Sequence, residues 1–197
     1  QAGASTNLSI GTVECCVYIE PVETCVDWSV TPAVGATIDE NGGLHIDETV
    51  AHGSSFTVEA NVENGRKVLA IDVYVYDPEQ NPLYGTWQET GQISCENGEE
   101  IEPTQRINEL YFYANGQFDV TWDPFEAYRD YWGPYTYNTE AGSLSLQVTG
   151  GNYIPTDIDG DGTFSIDENG HLILTSIWLG TPMEGEEQSQ CGHVFQR

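Results

Sequence analysis

Apolar and polar residues alternate in short runs along most of the chain, and the 3.6-residue period of an amphipathic helix is nearly absent. The clearest run is Phe56-Thr57-Val58-Glu59-Ala60-Asn61-Val62. A period of two sends successive side chains to opposite faces, so such a run reads as a strand with one buried face. Similar runs occupy residues 68–76, 109–113, 117–122, 143–148 and 171–178. Between them stand Asn41-Gly42-Gly43, Asn64-Gly65, Asn115-Gly116, Gly150-Gly151 and Asn169-Gly170. Asn-Gly supplies the positive φ that tight hairpins need. The pattern predicts an all-β chain of sandwiches or barrels. Asp77-Pro78-Glu79-Gln80-Asn81-Pro82 breaks it with two prolines after a finished strand. That break predicts two units, 1–78 and 79–197.

Composition narrows the function classes. The chain has 197 residues, 32 of them Asp or Glu and 5 Lys or Arg, for a formal net charge of −27. Phosphate backbones and anionic membrane surfaces are held by clustered Lys and Arg, so nucleic-acid and anionic-membrane partners are excluded. Apolar residues make up 39% and aromatics 11%, enough to fill a core rather than leave the chain disordered. No apolar run is long enough to predict a membrane-spanning helix.

The chain begins at Gln1 without a basic-then-apolar leader, as expected of an exported chain after signal-peptide removal. Five cysteines, Cys15, Cys16, Cys25, Cys95 and Cys191, lack zinc-site spacing. In an exported chain they predict disulfides. Cys15 or Cys16 could close locally on Cys25 and Cys95 could tie the tail at Cys191, with one cysteine left over; the sequence leaves the connectivity open. Asn7-Leu8-Ser9 is a glycosylation sequon.

In the first half, Val26-Asp27-Trp28-Ser29-Val30 leads through Asp39-Glu40-Asn41-Gly42 to Thr57-Val58-Glu59-Ala60 and Val73-Tyr74-Val75. This order resembles bacterial Ig-like domains of the invasin and intimin type. The resemblance implies an extracellular β-sandwich used as a scaffold or adhesion module, with Trp28 in its core. It departs from the pattern at residues 13–25, where a cysteine-rich run stands in place of the first strands. In the second half, Gly85-Thr86-Trp87 is similar to the Gly-x-Trp that opens lipocalins. It implies a small antiparallel barrel of calycin type with Trp87 plugging one end. The arginine that packs on this tryptophan in lipocalins has no evident counterpart in the sequence.

Half of the aromatic residues fall between Tyr111 and Tyr137. Trp122, Tyr128, Tyr131, Trp132 and Tyr135 are candidates for stacking on a sugar or another planar ligand. Core filling carries more weight than stacking, because Phe118 and Trp122 alternate with polar neighbours.

Residues 157–168 match the spacing of an EF-hand loop. A hard cation takes about six to eight oxygens. Asp157, Asp159 and Asp161 would offer carboxylates, Thr163 its carbonyl, Ser165 a water-mediated contact and Glu168 the closing bidentate pair. Calcium is therefore the expected cofactor, in a structural role. The flanking segments read as strands instead of helices, and Asp167-Glu168-Asn169-Gly170 reads as a hairpin turn that would send Glu168 to solvent.

No nucleophile elbow, zincin helix, phosphate loop or dinucleotide fingerprint is present, and the four histidines are scattered. These features together predict a secreted, non-enzymatic structural or adhesive protein, the self-assembling subunit of an extracellular filament or surface layer. A lipocalin-like or carbohydrate-binding module is the alternative. Homo-oligomerisation is expected through the N-terminal segment, which would enter the incomplete first sandwich of a neighbour as an added strand.

Overall fold

The computed structural model describes residues 2–14, 17–21, 25–62, 65–103, 105–122, 129–181 and 190–197. The chain is all-β, with no helix among the described residues. It divides into two compact units, Gln1–Asn81 and Pro82–Arg197. The division falls within the proline-bearing break, where Asp77 accepts hydrogen bonds from the backbone of Glu79 and the side chain of Gln80.

Eight strands build the first unit: β1 (Ser5–Asn7), β2 (Gly11–Glu14), β3 (Val17–Pro21), β4 (Val26–Thr31), β5 (Ala36–Ile38), β6 (Gly43–Ile46), β7 (Ser55–Val62) and β8 (Lys67–Tyr74). They form two three-stranded antiparallel sheets, β1-β6-β5 and β4-β7-β8, and a separate β2-β3 hairpin. Ala36, Leu44 and Ile46 of one sheet share a core with Phe56 and Val58 of the other. The alternation read from residues 56–62 holds residue by residue: Phe56, Val58, Ala60 and Val62 are buried. Gly42 makes the turn before β6 at φ 81°, and a Cβ there would stand 2.5 Å from the Leu8 carbonyl and 3.1 Å from the Trp28 ring. Only glycine lets the N-terminal segment and Trp28 close over this turn.

The second unit contains β9 (Gly85–Ser94), β10 (Glu100–Ile101), β11 (Glu109–Phe112), β12 (Gln117–Thr121), β13 (Tyr131–Asn138), β14 (Ser143–Leu146), β15 (Gly150–Gly151), β16 (Asp161–Ile166), β17 (Leu172–Thr175) and β18 (Gln190–Gln196). Eight of these, β9, β11 to β14 and β16 to β18, pair in sequence order, and β18 returns to β9. The result is a closed up-and-down antiparallel barrel, which leaves its main sheet without an edge. Inward-facing residues fill it: Trp87, Phe112, Phe118, Tyr131, Leu172 and Phe195 are at most 1% exposed. Each large side chain buried in this way contributes about 1.5–3 kcal/mol.

Specific devices concentrate where the first and last barrel strands meet. Cys95 and Cys191 form a disulfide across 96 residues of chain, one of the pairings the sequence left open. The Thr90 hydroxyl donates to the Val194 carbonyl at 3.2 Å. Arg197 lies over the Trp87 ring at 4.5 Å and donates to the carbonyls of Pro82 and Tyr84. Arg197 is thus near Trp87 in space though 110 positions away in sequence.

Candidate functional site

The aromatic candidates do not form one platform. Successive residues of β13 face opposite sides, so Tyr131 and Tyr135 enter the barrel core while Trp132 points outward and is 40% exposed. The Tyr131 hydroxyl donates to the Leu179 carbonyl at 2.6 Å, and the Tyr135 hydroxyl to the Tyr113 carbonyl at 2.9 Å. Burial pushes the Tyr131 hydroxyl well above the usual phenol range. Trp122 is buried beside Tyr131, with ring centroids 5.5 Å apart. Trp132 rests over Gly150, where a Cβ would come within 2.9 Å of the indole. Tyr128 lies outside the described residues. The core role weighed for these aromatics accounts for Trp122, Tyr131 and Tyr135.

The acidic segment is extended where an EF-hand loop would curl. Residues 161–166 are strand β16, paired with β14 on one side and β17 on the other. Gly160 and Gly162 serve close backbone approach: a Cβ at Gly160 would meet the Leu146 carbonyl, and one at Gly162 the Thr175 carbonyl. Asp157 is occupied internally, accepting from the Thr181 hydroxyl at 2.6 Å, the Thr181 amide at 2.9 Å and the Trp178 indole at 3.0 Å. Burial alone would raise its pKa, but these hydrogen bonds together hold it below the usual carboxylate value. Asp161 accepts from the Ser145 hydroxyl at 2.6 Å, and Asp159 accepts from the Asp161 amide at 3.3 Å. Thr163 and Ser165 are exposed residues of the strand. Asp167 caps the following hairpin through the amides of Asn169 and His171, and Glu168 is turned to solvent. Among the described residues no three His, Cys, Asp or Glu side chains converge as a metal site.

Of the cysteines, Cys25 carries a free, exposed thiol, in place of the local closure expected for it. Cys15 and Cys16 lie outside the described residues.

Two polar clusters of the barrel have no sequence motif. Glu89 and His193 are buried together, with His193 Nδ1 2.6 Å from a Glu89 carboxylate oxygen. The other Glu89 oxygen accepts from the Ile107 amide at 2.7 Å, and His193 Nε2 accepts from the Leu179 amide at 3.1 Å. With Nε2 an acceptor, the imidazole proton sits on Nδ1 and points at the carboxylate. Trp178 stacks on this ring at 4.8 Å. The placement of Glu89 follows from strand alternation, because Trp87 and Glu89 share a face. On the outside of the barrel, Asp119 is buried and accepts from the Tyr113 hydroxyl at 2.6 Å while Arg129 pairs with the same oxygen. Burial pushes the Asp119 carboxyl up, against the opposing pull of Tyr113 and Arg129. Every polar contact in these clusters joins one barrel residue to another, which marks them as architecture.

Among the described residues, β8 combines an open edge with exposed apolar side chains. Among the described residues it pairs only with β7, so its other side is an open edge. Val68 is 54% exposed, Leu69 49%, Ile71 56% and Tyr74 37%, which is unusual for four large apolar residues on one strand. The Val75 amide bonds to Ser54 on the β7 side. Backbone groups alternate sides along an antiparallel strand. Val68, Ala70, Asp72 and Tyr74 therefore present their N–H and C=O groups at the open edge. Leu69 and Ile71 are registered opposite Ala60 and Val58, two buried core residues. The core face thus runs on past β7, and on β8 it lies half uncovered. A groove of about 230 Å³ follows, lined by Leu8, Ile10, Trp28, Val58, Leu69 and Ile71.

Residues 3–8 of the N-terminal segment bond within this unit. β1 pairs with β6, Gly3 donates to the Ile46 carbonyl and Leu8 to the Gly42 carbonyl. These bonds seat the segment expected to enter a neighbour against its own chain, beside the groove. No family model, no curated protein and no solved structure matches the chain.

Proposed function

We propose that the protein is an extracellular, non-enzymatic structural or adhesive component that works by accepting a β-strand at the β8 edge. The observation that carries this reading is the combination on one strand of an open backbone edge and four exposed apolar side chains. Strand addition uses both: main-chain hydrogen bonds give affinity, and alternate side chains enter the adjoining groove. The Cys95–Cys191 disulfide supports an oxidising location. The resemblance of the first half to Ig-like adhesion modules agrees with this role. The test is amide exchange on the full chain titrated with a peptide copying residues 67–74. Slowed exchange at Val68, Ala70, Asp72 and Tyr74 is expected. Unchanged exchange at saturating peptide defeats the reading.

A second reading, a calycin-type ligand binder, is favoured by the closed barrel with Arg197 over Trp87. A cavity of about 300 Å³ lined by Glu89, Arg106, Asn108 and Trp122 would be its binding place. Native mass spectrometry with a panel of glycans and small lipophiles tests it, the bound mass being lost in Trp122→Ala.

A further inference from the structure

We infer that the strand which β8 accepts is β8 of a second copy of this chain, paired antiparallel about a two-fold axis. This rests on the strand-addition reading above and names its partner. The distribution of positive charge carries the argument. The chain has 5 basic residues against 32 acidic ones. Three lie in the barrel unit, Arg106, Arg129 and Arg197. Arg66 and Lys67 are adjacent and exposed at the head of β8.

The far end of the same segment is acidic, with Asp72 exposed on the strand and Asp77 just beyond it. Between these ends lies the uncharged run Val68-Leu69-Ala70-Ile71. A strand guarded against pairing carries charge in its middle; here the charges stand at opposite ends. This arrangement is complementary to itself in one orientation. Antiparallel pairing lays the basic head of one copy against the acidic end of the other. Parallel pairing sets Arg66 and Lys67 on their own counterparts.

Register follows from the edge geometry. Centring the pair on Leu69 places Leu69 opposite Leu69 of the second copy and Arg66 opposite Asp72 of the second copy. Residues with outward backbone groups then face each other, Val68 against Ala70. The two β4-β7-β8 sheets become one continuous sheet. The two-fold axis is perpendicular to it, so the half-covered Leu69 and Ile71 rows of both copies lie on the same face and cover one another. The interface is isologous and closes at a dimer.

The experiment is sedimentation velocity on the full chain across the micromolar range at physiological salt, which screens the repulsion of two strongly acidic bodies. A reversible dimer is expected. Arg66→Glu/Lys67→Glu and, separately, Asp72→Lys should each weaken it, because each sets like charges opposite one another. Mixing the two variants should restore a heterodimer at least about tenfold tighter than either homodimer. Far-UV circular dichroism checks that these exposed substitutions leave the fold intact. A wild-type chain that stays monomeric, or variants that dimerise as the wild type does, overturns the inference. If the wild type is monomeric while the 67–74 peptide still protects the edge amides, the second copy is the wrong partner and strand addition stands. If neither occurs, both readings fall.

Discussion

Removing the Cys95–Cys191 bond isolates what one covalent link at the barrel seam contributes. The perturbation is Cys95→Ala/Cys191→Ala. The bond closes 96 residues, nearly the whole barrel unit. In the chain-entropy account, closing a loop of that length removes about 16 cal/mol/K from the unfolded ensemble, or about 4.7 kcal/mol at 25 °C. For a unit of roughly 116 residues, Pro82–Arg197, the unfolding entropy is about 0.24 kcal/mol/K, so the midpoint should fall by about 20 °C. Tryptophan fluorescence reports this unit, since Trp87, Trp122, Trp132 and Trp178 belong to it and Trp28 alone to the other. Thermal and urea melts of oxidised wild type, reduced wild type and the double variant should place the last two together. The urea m-value should rise when the link is lost, because the unlinked chain exposes more surface. Cys25→Ser serves as a control and should leave the barrel transition in place, its thiol being free. A loss below about 1 kcal/mol would refute the reasoning, since it would mean that the unlinked, unfolded chain stays compact about the seam.

Four further outcomes follow from the barrel. Glu89→Gln should cost about 3 kcal/mol in urea unfolding, because both carboxylate oxygens accept hydrogen bonds and the amide nitrogen of glutamine would face a donor. Asp119 holds its proton more tightly folded than unfolded, since burial outweighs Tyr113 and Arg129. Its contribution to stability is therefore complete below its ordinary value of 3.8 and is lost as pH rises through the elevated folded value. Asp119→Asn should flatten that part of the stability–pH profile, whereas Asp157→Asn should remove stability that is lost as pH falls, because the Asp157 pKa is held low. Chelation or added calcium should leave the barrel transition unmoved, as Asp157 is already saturated by Thr181 and Trp178; a calcium-dependent rise in midpoint would show that the acidic segment rearranges around a cation.

Local periodicity was the readable part of this chain. Phe56 to Val62, the Asn115-Gly116 hairpin and the Asp167–Gly170 turn are written in neighbouring residues, and they fold as written. The acidic segment reads two ways for a physical reason. Asp157, Asp159 and Asp161 repeat every second residue, a spacing that suits both a coordination loop and a strand. The interleaved Gly160 and Gly162 let β14 and β17 approach. The strand-like flanks favour the strand, and residues 161–166 form one. Arg197 was hidden by distance along the chain: its partner Trp87 is adjacent only once the barrel closes. Scarcity was its one clue, a basic residue at the end of the last apolar run of a chain with very few. The exposure of β8 could not be read either, because its apolar alternation is that of a buried strand; what it lacks is a neighbour.

The seam also makes the barrel unit nearly indifferent to where its chain is cut. Arg197 bonds to the carbonyl of Pro82, so the first and last residues of the unit lie side by side. A short peptide could join them, and new termini could be opened at the Asn115-Gly116 hairpin without unpairing a strand. Such a circularly permuted barrel keeps every cross-strand ladder. By the same geometry the unit can be inserted whole into a surface loop of another protein, entering and leaving at one point.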